Sequence, residues 1–367
     1  MPDANAPQRF IINGKFLRAE STGVHRVALE LANALADLKD EHHPAVSDCE
    51  FEIWYPRDGS QRATSVRLLR RCVPFLTGIA WEQITLPLAQ GTATLLNLCN
   101  IGPIASANAV TMIHDAQVHL SPASYRRGFR LWYRLIQPIL GRRNRRILTV
   151  SEFSKTQISK LGLCQDDRIG VVHNGADHIL HVEPDRSAIE RLKLRPQDYV
   201  IALASTQAHK NIPILLAAFF DLRLAGVKLV LFGGTAQSEF ESQGYPIPPN
   251  AVFAGRVSDG ELRGLLAEAL CLAFPSTTEG FGLPPLEAML VGCPVLVAPC
   301  GSLPEVCGDA ARYVDADDAL GWATAISDIA AQPALRASLI AKGLAHAKKF
   351  TWRNAALALV LQIRPEH

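Results

Sequence analysis

What this chain lacks narrows its class before any motif is read. No apolar run reaches the roughly 20 residues of a membrane-crossing helix, and the opening MPDANAPQRF has neither the basic nor the apolar region of a secretory leader. A cytoplasmic protein is expected. The eight cysteines form no C-x-x-C pair and have no histidine-rich partner, so they read as reduced thiols, not as a disulfide frame or a zinc site. Cys293, Cys300 and Cys307 recur every seven residues, but they lie around a strand and loop, not along one helix, and the spacing reads as chance. With no G-x-x-x-x-G-K-[ST] loop and no G-x-G-x-x-G fingerprint, phosphoryl transfer and dinucleotide redox chemistry lose support. No metal cluster is evident, and no nucleic-acid partner is expected.

What is present is a soluble composition, 48% hydrophobic and 20% charged, in 367 residues, which is long for one core and favours two domains. Buried-strand segments alternate with helical patterns. RFIIN, FEIWY, ATLLNL, VTMIH, RILTVS and IGVVHNG fill the first half; YVIALAS, KLVLFGG, AVFAGRV, CLAFPS and PVLVA fill the second. That alternation predicts an α/β protein with two parallel sheets covered on both faces, hence two Rossmann-like domains. Proline and charge interrupt the pattern after Asp177. The expected division is residues 1–180, residues 181–348, and a final helix in 349–367 carried by FTWRNAALALVLQI.

The densest stretch is STTEGFGLPPLEAMLVG, Ser276 to Gly292. CLAFPS reads as a short buried strand and PPLEAML as a helix opened by proline and closed by Gly292. The first N–H groups of a helix have no internal partner and its dipole is positive there, so the loop between is a candidate anion site that Gly280 and Gly282 leave open to a ligand. Glu279 and Glu287 would repel an anion but suit hydroxyl groups on either side of it. A sugar nucleotide carries hydroxyls on both its ribose and its sugar. Taken singly, Glu287 could merely complement its own helix dipole and Glu279 could be a solvated loop residue.

The segment EGFGLPPLEAM resembles the E-x7-E signature of retaining glycosyltransferases, notably glycosyltransferase family 4. The resemblance runs through nearly the whole chain and implies a GT-B fold, two Rossmann-like domains facing across a cleft, the first binding the acceptor and the second the nucleotide sugar, with a C-terminal helix crossing back to pack on the first. It also implies roles. Glu279 would contact the donor sugar and Glu287 the ribose, with Gly280, Phe281, Gly282 and Leu283 lining the donor site. Gly23, in ESTGVHRVALELANAL, would approach the phosphates; by itself it could be chain punctuation. His114, at the end of VTMIHDA, would sit against the transferred sugar, and Asp115 would orient it or cap the next turn. Lys210 would neutralise the departing diphosphate, so no cofactor and no metal would be needed. The arginine that the family commonly carries just before this lysine is absent: Ser205, Thr206, Gln207 and His209 stand there, leaving His209 and Arg256 as candidate second cations. Arg256 and Val257 would border the nucleobase. Ser151, Ser154 and Asn174 read as loop and cap residues.

The implied activity is transfer of a hexose from a nucleoside diphosphate sugar to a glycan or polyprenyl-diphosphate-linked acceptor in bacterial surface polysaccharide synthesis. GDP-mannose is the first expectation for the donor, from a looser likeness of GKFLRAESTGVHRVALEL and HKNIPILLAAF to polysaccharide mannosyltransferases; a UDP-hexose stays open. So do a sugar nucleotide epimerase and a non-catalytic sugar-nucleotide-binding subunit. Finally, Tyr125 to Ile147 holds eight arginines and no acid. As a helix it sets Arg126, Arg130 and Arg134 on one stripe, with Arg127 beside them, and Phe129, Tyr133, Ile136 and Leu140 on another. Either its arginines are simply solvated, or the cationic face rests on anionic membrane lipid, with Arg142, Arg143, Arg145 and Arg146 nearby.

Overall fold

The computed structural model describes residues 7–18, 22–59, 65–122 and 125–364. It divides into two compact units, residues 1–175 with 351–367, and residues 176–350. The break lies five residues ahead of the expected one, because the turn Asp177–His181 carries His178 to Glu287 of the second unit.

In the first unit seven parallel strands form one sheet: β1 (Gln8–Asn13), β2 (Cys49–Tyr55), β3 (Leu69–Cys72), β4 (Thr94–Asn97), β5 (Ala109–Met112), β6 (Arg146–Thr149) and β7 (Ile169–Val171), in the order 3-2-1-4-5-6-7. The second unit holds β8 (Tyr199–Leu203), β9 (Lys228–Phe232), β10 (Ala251–Gly255), β11 (Cys271–Phe274), β12 (Val295–Val297) and β13 (Arg312–Tyr313), in the order 10-9-8-11-12-13. All pairings between these strands are parallel. The inner strands are apolar at every position because both faces are covered: AVTM and CLAF are buried throughout. Each sheet reverses its order once, between β1 and β4 in the first and between β8 and β11 in the second. At such a reversal the loops leaving the two strands diverge and open a crevice at their carboxyl ends.

Two strands escaped the sequence reading, and both for the same reason. In β3 all four residues are exposed, and β13 is two residues long, so neither carries a buried apolar run. Helix α1 (Gly23–Asp40) follows β1 and buries Val27, Leu31 and Leu35 at four-residue intervals. Two further helices of this unit are α2 (Arg127–Arg143) and α3 (Glu152–Lys160). In the second unit, α4 (Leu283–Leu290) follows β11. The last helix, α5 (Trp352–Ile363), buries Trp352, Ala356, Leu359, Val360 and Ile363 and belongs to the first unit, where Arg353 bonds Glu41 at 2.5 Å.

Among the described residues, no helix is long and apolar enough to cross a membrane. All eight cysteines are free thiols. Burial pushes the thiols of Cys293 and Cys307 up to about 12, so they are inert at neutral pH.

Candidate active site

The second unit builds its site at the β8/β11 reversal. Lys210 stands in the turn after β8 and Glu279 in the loop after β11, and Lys210 Nζ donates to Glu279 Oε1 at 2.6 Å. Their side chains keep 18% and 13% of their exposure, so the pair is shielded yet reachable. The lysine also lies 5.6 Å from the centre of the Phe274 ring.

The loop from Thr278 to Gly282 is clamped from behind by Gly301 and Ser302. Ser302 N donates to Glu279 O at 3.2 Å, and Ser302 Oγ donates to Phe281 O at 2.8 Å. Gly301 has φ +63° and comes so close that a Cβ there would lie 2.5 Å from Glu279 N; any side chain would push the carboxylate out of place. At Gly282, φ is +104° and a Cβ would lie 2.8 Å from Leu303 Cδ2. The chain then enters α4 through Leu283, Pro284 and Pro285. Gly280, Phe281 and Gly282 are buried and Leu283 is half-buried, with Phe281 edge-on to Phe350 at 6.0 Å between ring centres.

Glu287 lies on α4, where it is 7% exposed, and its Oε1 meets His178 Nε2 at 3.0 Å. His178 was not among the sequence-derived candidates. It sits more than a hundred residues from its partner in a short turn with no motif spacing, and the only available signal was its place in VVHNGADH. Gly301 and Ser302 were missed likewise, since a glycine-serine turn has no chemistry of its own until its backbone neighbours are known.

His209 corrects an expectation. Its ring is buried, Nδ1 has no hydrogen-bond partner, and burial together with the adjacent Lys210 pushes its pKa down. A buried, neutral imidazole cannot serve as the second cation. Arg256 is exposed at the end of β10, with its guanidinium against the backbone of Gly234: a Cβ on that glycine would lie 3.2 Å from Arg256 Nε. Val257 beside it is half-buried.

In the first unit, Gly23 opens α1 behind Thr22, whose Oγ1 accepts from His25 N at 3.4 Å; a Cβ on Gly23 would meet nothing within 4 Å. Ala19, Glu20 and Ser21 lie outside the described residues. His114 is 5% exposed at the end of β5. Its backbone N–H donates to Asn100 Oδ1 at 2.7 Å and its Nε2 donates to Leu98 O at 2.8 Å, which places the ring proton on Nε2. Burial lowers its pKa to about 4, so the ring is neutral at pH 7. The His114 carbonyl accepts from Ser154 Oγ at 3.1 Å, and Ser154 N donates to Ser151 Oγ, the cap of α3. Asp115 accepts from Gln117 N at 2.9 Å, which fixes the following turn. Asn174 is buried with its Oδ1 unpaired.

A lysine and a glutamate also meet at the β1/β4 reversal of this unit: Lys15 Nζ donates to Glu82 Oε2 at 2.6 Å, and Asn13 Nδ2 donates to Glu82 Oε1 at 3.0 Å.

The basic stretch differs from its helical projection. Arg126 caps α2 in extended conformation, and Arg130 Nη1 donates to Pro122 O at 3.4 Å. Arg127, Arg134, Arg142 and Arg143 are exposed, but so are Leu131 at 60% and Leu135 at 56%, so the outer face is mixed, not purely cationic. Tyr133, Ile136 and Leu140 are buried as expected; Phe129 is 43% exposed. Arg145 bonds Thr94 Oγ1 at 3.1 Å, and Arg146 opens β6.

Comparison with known proteins bears on both units. A family model for glycosyl transferases group 1 matches residues 186–346, and one for Glycosyltransferase Family 4 matches residues 21–179. The O-antigen chain mannosyltransferase B of Escherichia coli is 31% identical over 229 residues, 57% of this chain and 57% of that protein. The O-antigen chain mannosyltransferase RfbU of Salmonella typhimurium is 27% identical over 229 residues, 62% of each. The alignments thus span only somewhat more than half the length of these relatives. The structure of HepE from Anabaena in complex with UDP-glucose superposes with a TM-score of 0.71 at 16% identity, covering 96% of this chain and 98% of that one, a likeness that carries the GT-B fold. With one family model on each unit, in order along the sequence, the chain belongs to the family 4 glycosyltransferases.

Proposed function

We propose that this chain is a retaining hexosyltransferase that uses a nucleoside diphosphate sugar, with GDP-mannose as the first donor to test and a UDP-hexose as the second. The observation that carries the reading is the Lys210–Glu279 pair at the β8/β11 reversal, with Glu287 on the helix that follows. The mannosyltransferase relatives favour mannose; the UDP-glucose held by HepE keeps the other base in play.

In this reading Glu287 takes ribose hydroxyls on Oε2 while His178 holds Oε1 and fixes the rotamer. Glu279 takes hydroxyls of the hexose. The N–H groups that open α4 face the phosphates, and Arg256 with Val257 borders the base. In the reaction the bond from the anomeric carbon to the diphosphate oxygen breaks and its electron pair stays on the diphosphate. The acceptor oxygen bonds to the same face of that carbon, and its proton passes to the leaving diphosphate. Lys210 offsets the charge that develops there, which makes divalent metal unnecessary. A carbonyl oxygen has two lone pairs; that of His114 spends one on Ser154 and keeps one for positive charge at the anomeric carbon.

The acceptor is a glycan or a polyprenyl-diphosphate-linked sugar, reached from the membrane surface through α2. Basic residues beside anionic lipid contribute about 1 kcal/mol each, and Leu131 and Leu135 add apolar contact between the arginines. Binding to anionic but not neutral vesicles, lost in an Arg126→Glu, Arg127→Glu, Arg134→Glu variant, is expected; equal binding to both vesicle types contradicts it.

The deciding experiment is a melting-temperature panel of nucleoside diphosphates and their sugars, because a ligand that binds only the folded state raises the transition. GDP and GDP-mannose should raise it most. Replacing Glu287 by alanine should weaken nucleotide binding about ten- to a hundredfold, the size of a lost charge-assisted bond. Turnover should survive EDTA. Full loss with EDTA, restored by added metal, would remove Lys210 from its role.

A further inference from the structure

The arginines between α2 and β6 stand outside the transfer reading, and the fold assembles them with others from distant parts of the chain. At the amino ends of β5, β6 and β7, the opposite edge of the sheet from His114, lies a cavity of about 370 Å³. Three separate stretches supply its polar lining: Arg145 and Arg146 at the start of β6, Asp167 and Arg168 just before β7, and Gln362 and Arg364 at the end of α5. All of them belong to the first unit.

The cavity is cationic. Its four guanidiniums face Asp167 in the lining and Asp48, which pairs with Arg364, so two positive charges stay in surplus. Asp166 is taken up by Lys155 at 3.4 Å. Hydrogen-bonding capacity is in surplus as well, because a guanidinium carries five N–H donors in a planar fork. Arg145 spends one, on Thr94 Oγ1 at 3.1 Å, and Arg364 spends its Nη2 on Asp48 and on Ala45 O at 3.0 Å. Arg168 is more committed: it donates to Gly141 O at 3.0 Å, to Arg142 O at 3.3 Å and to Asn144 O, and so closes the end of α2. Two buried atoms of the lining, Arg364 Nε and Gln362 Oε1, have no hydrogen-bond partner among the described residues. Such atoms are rare, and each calls for a partner. Turned over, the Gln362 amide presents its N–H donors in place of its oxygen.

We propose that this cavity binds a doubly charged phosphate group, as a phosphate monoester or a diphosphate, held by Arg145, Arg146 and Arg364 with Gln362 beside it. Two negative charges match the surplus, and arginine forks pair with phosphate oxygens two at a time. The bound group ties the end of α5 to the start of β6. The site stands on the cavity itself and is independent of the transfer reading.

The test is a calorimetric titration of the full chain with inorganic pyrophosphate at fixed ionic strength. Saturable binding is expected, about ten- to a hundredfold weaker in Arg145→Gln, which loses a charge-assisted contact. In Asp167→Asn, which loses the opposing charge, it should be about two- to fivefold tighter. Arg145 is exposed and makes a single side-chain bond, so its replacement leaves the fold intact; a gain of affinity in Asp167→Asn cannot come from misfolding. Because the leaving group of the transfer reading is itself a diphosphate, the titration is repeated on Lys210→Gln, where the binding that Arg145→Gln weakens should persist. No saturable binding, wild-type affinity in Arg145→Gln, or loss of all binding in Lys210→Gln overturns the proposal. Vesicles carrying phosphatidic acid separate the two sources of such a phosphate. Sedimentation with them that pyrophosphate reverses and Arg145→Gln abolishes makes the ligand a lipid head group; sedimentation indifferent to Arg145→Gln makes it a soluble phosphate.

Discussion

At both sheet reversals a lysine meets a glutamate at 2.6 Å, yet the two pairs are built to different ends. Glu82 is almost fully buried, bonded by both Asn13 and Lys15, and backed by three more polar side chains in series, Asn97, Thr111 and Asn144. Glu279 has Lys210 as its side-chain partner and is held from its backbone, by Gly301 and Ser302. Anchoring through the side chain makes a carboxylate part of the core. Anchoring through the backbone leaves the carboxylate free to exchange a lysine for a ligand, at the cost of a single charge-assisted bond. A lysine–glutamate pair beside a sheet reversal is therefore a fixed acceptor in one unit and a movable one in the other, the glutamate coming before β4 in the first and after β11 in the second.

The comparison can be broken most sharply through stability. Removing one member of a buried pair leaves the other uncompensated and costs about 3 kcal/mol or more, so Glu82→Ala should lower unfolding free energy by that amount in a urea titration. Glu279→Ala should cost only about 1 kcal/mol, the net worth of one bond. Equal losses would mean that the two pairs are structurally equivalent. Next in size is the catalytic asymmetry. If Glu279 is the movable carboxylate, Glu279→Gln should keep nucleotide affinity while transfer falls about a hundredfold, the scale of one lost electrostatic contact in a transition state. A parallel fall in nucleotide affinity would merge the roles assigned to Glu279 and Glu287.

A smaller effect sharpens the comparison by pH. His114 is depressed to about 4 from an ordinary 6.5. Between those values the unfolded chain binds a proton that the folded chain refuses, so stability falls as pH drops through this window and is flat above it. From pH 7 to pH 5 that amounts to about 2 kcal/mol, and His114→Gln should flatten the slope. His209, pushed down by burial and by Lys210, bends the second unit in the same direction. A stability curve unchanged by removing His114 would show that its imidazole is charged or solvated at neutral pH.

Much of this was legible without coordinates because the signals are local. Eleven strands announced themselves as apolar runs, α4 by its prolines and Gly292, and the Glu279–Glu287 spacing by lying across one strand, loop and helix. The turn residues Ser151 and Asp115 also behave as caps, since an Asp or Ser side chain that caps a turn acts within two or three residues. The expectations that needed revision depend on distant neighbours. His209 reads as a cation in sequence and is neutral because the fold buries it beside Lys210. The α2 stripe reads as cationic, but Leu131 and Leu135 share its outer face, since the apolar positions turned inward are too few to take up every leucine of the helix.

Sequence by itself therefore determined the element types, the parallel α/β class and the family, because periodicity, turn chemistry and a short motif are all written within about twenty residues. Only the tertiary structure decided which charges are partners. Lys210 and Glu279 are 69 residues apart, Lys15 and Glu82 67 apart, and His178 and Glu287 farther still. No local pattern encodes these meetings; the strand order brings the loops after β8 and β11 to the same edge of their sheet, and Lys15, after β1, meets Glu82 on the Trp81–Thr85 turn between β3 and β4. Burial then sets what each meeting does, because a charge taken out of water must keep its partner, and one left within reach of water can trade it for a substrate.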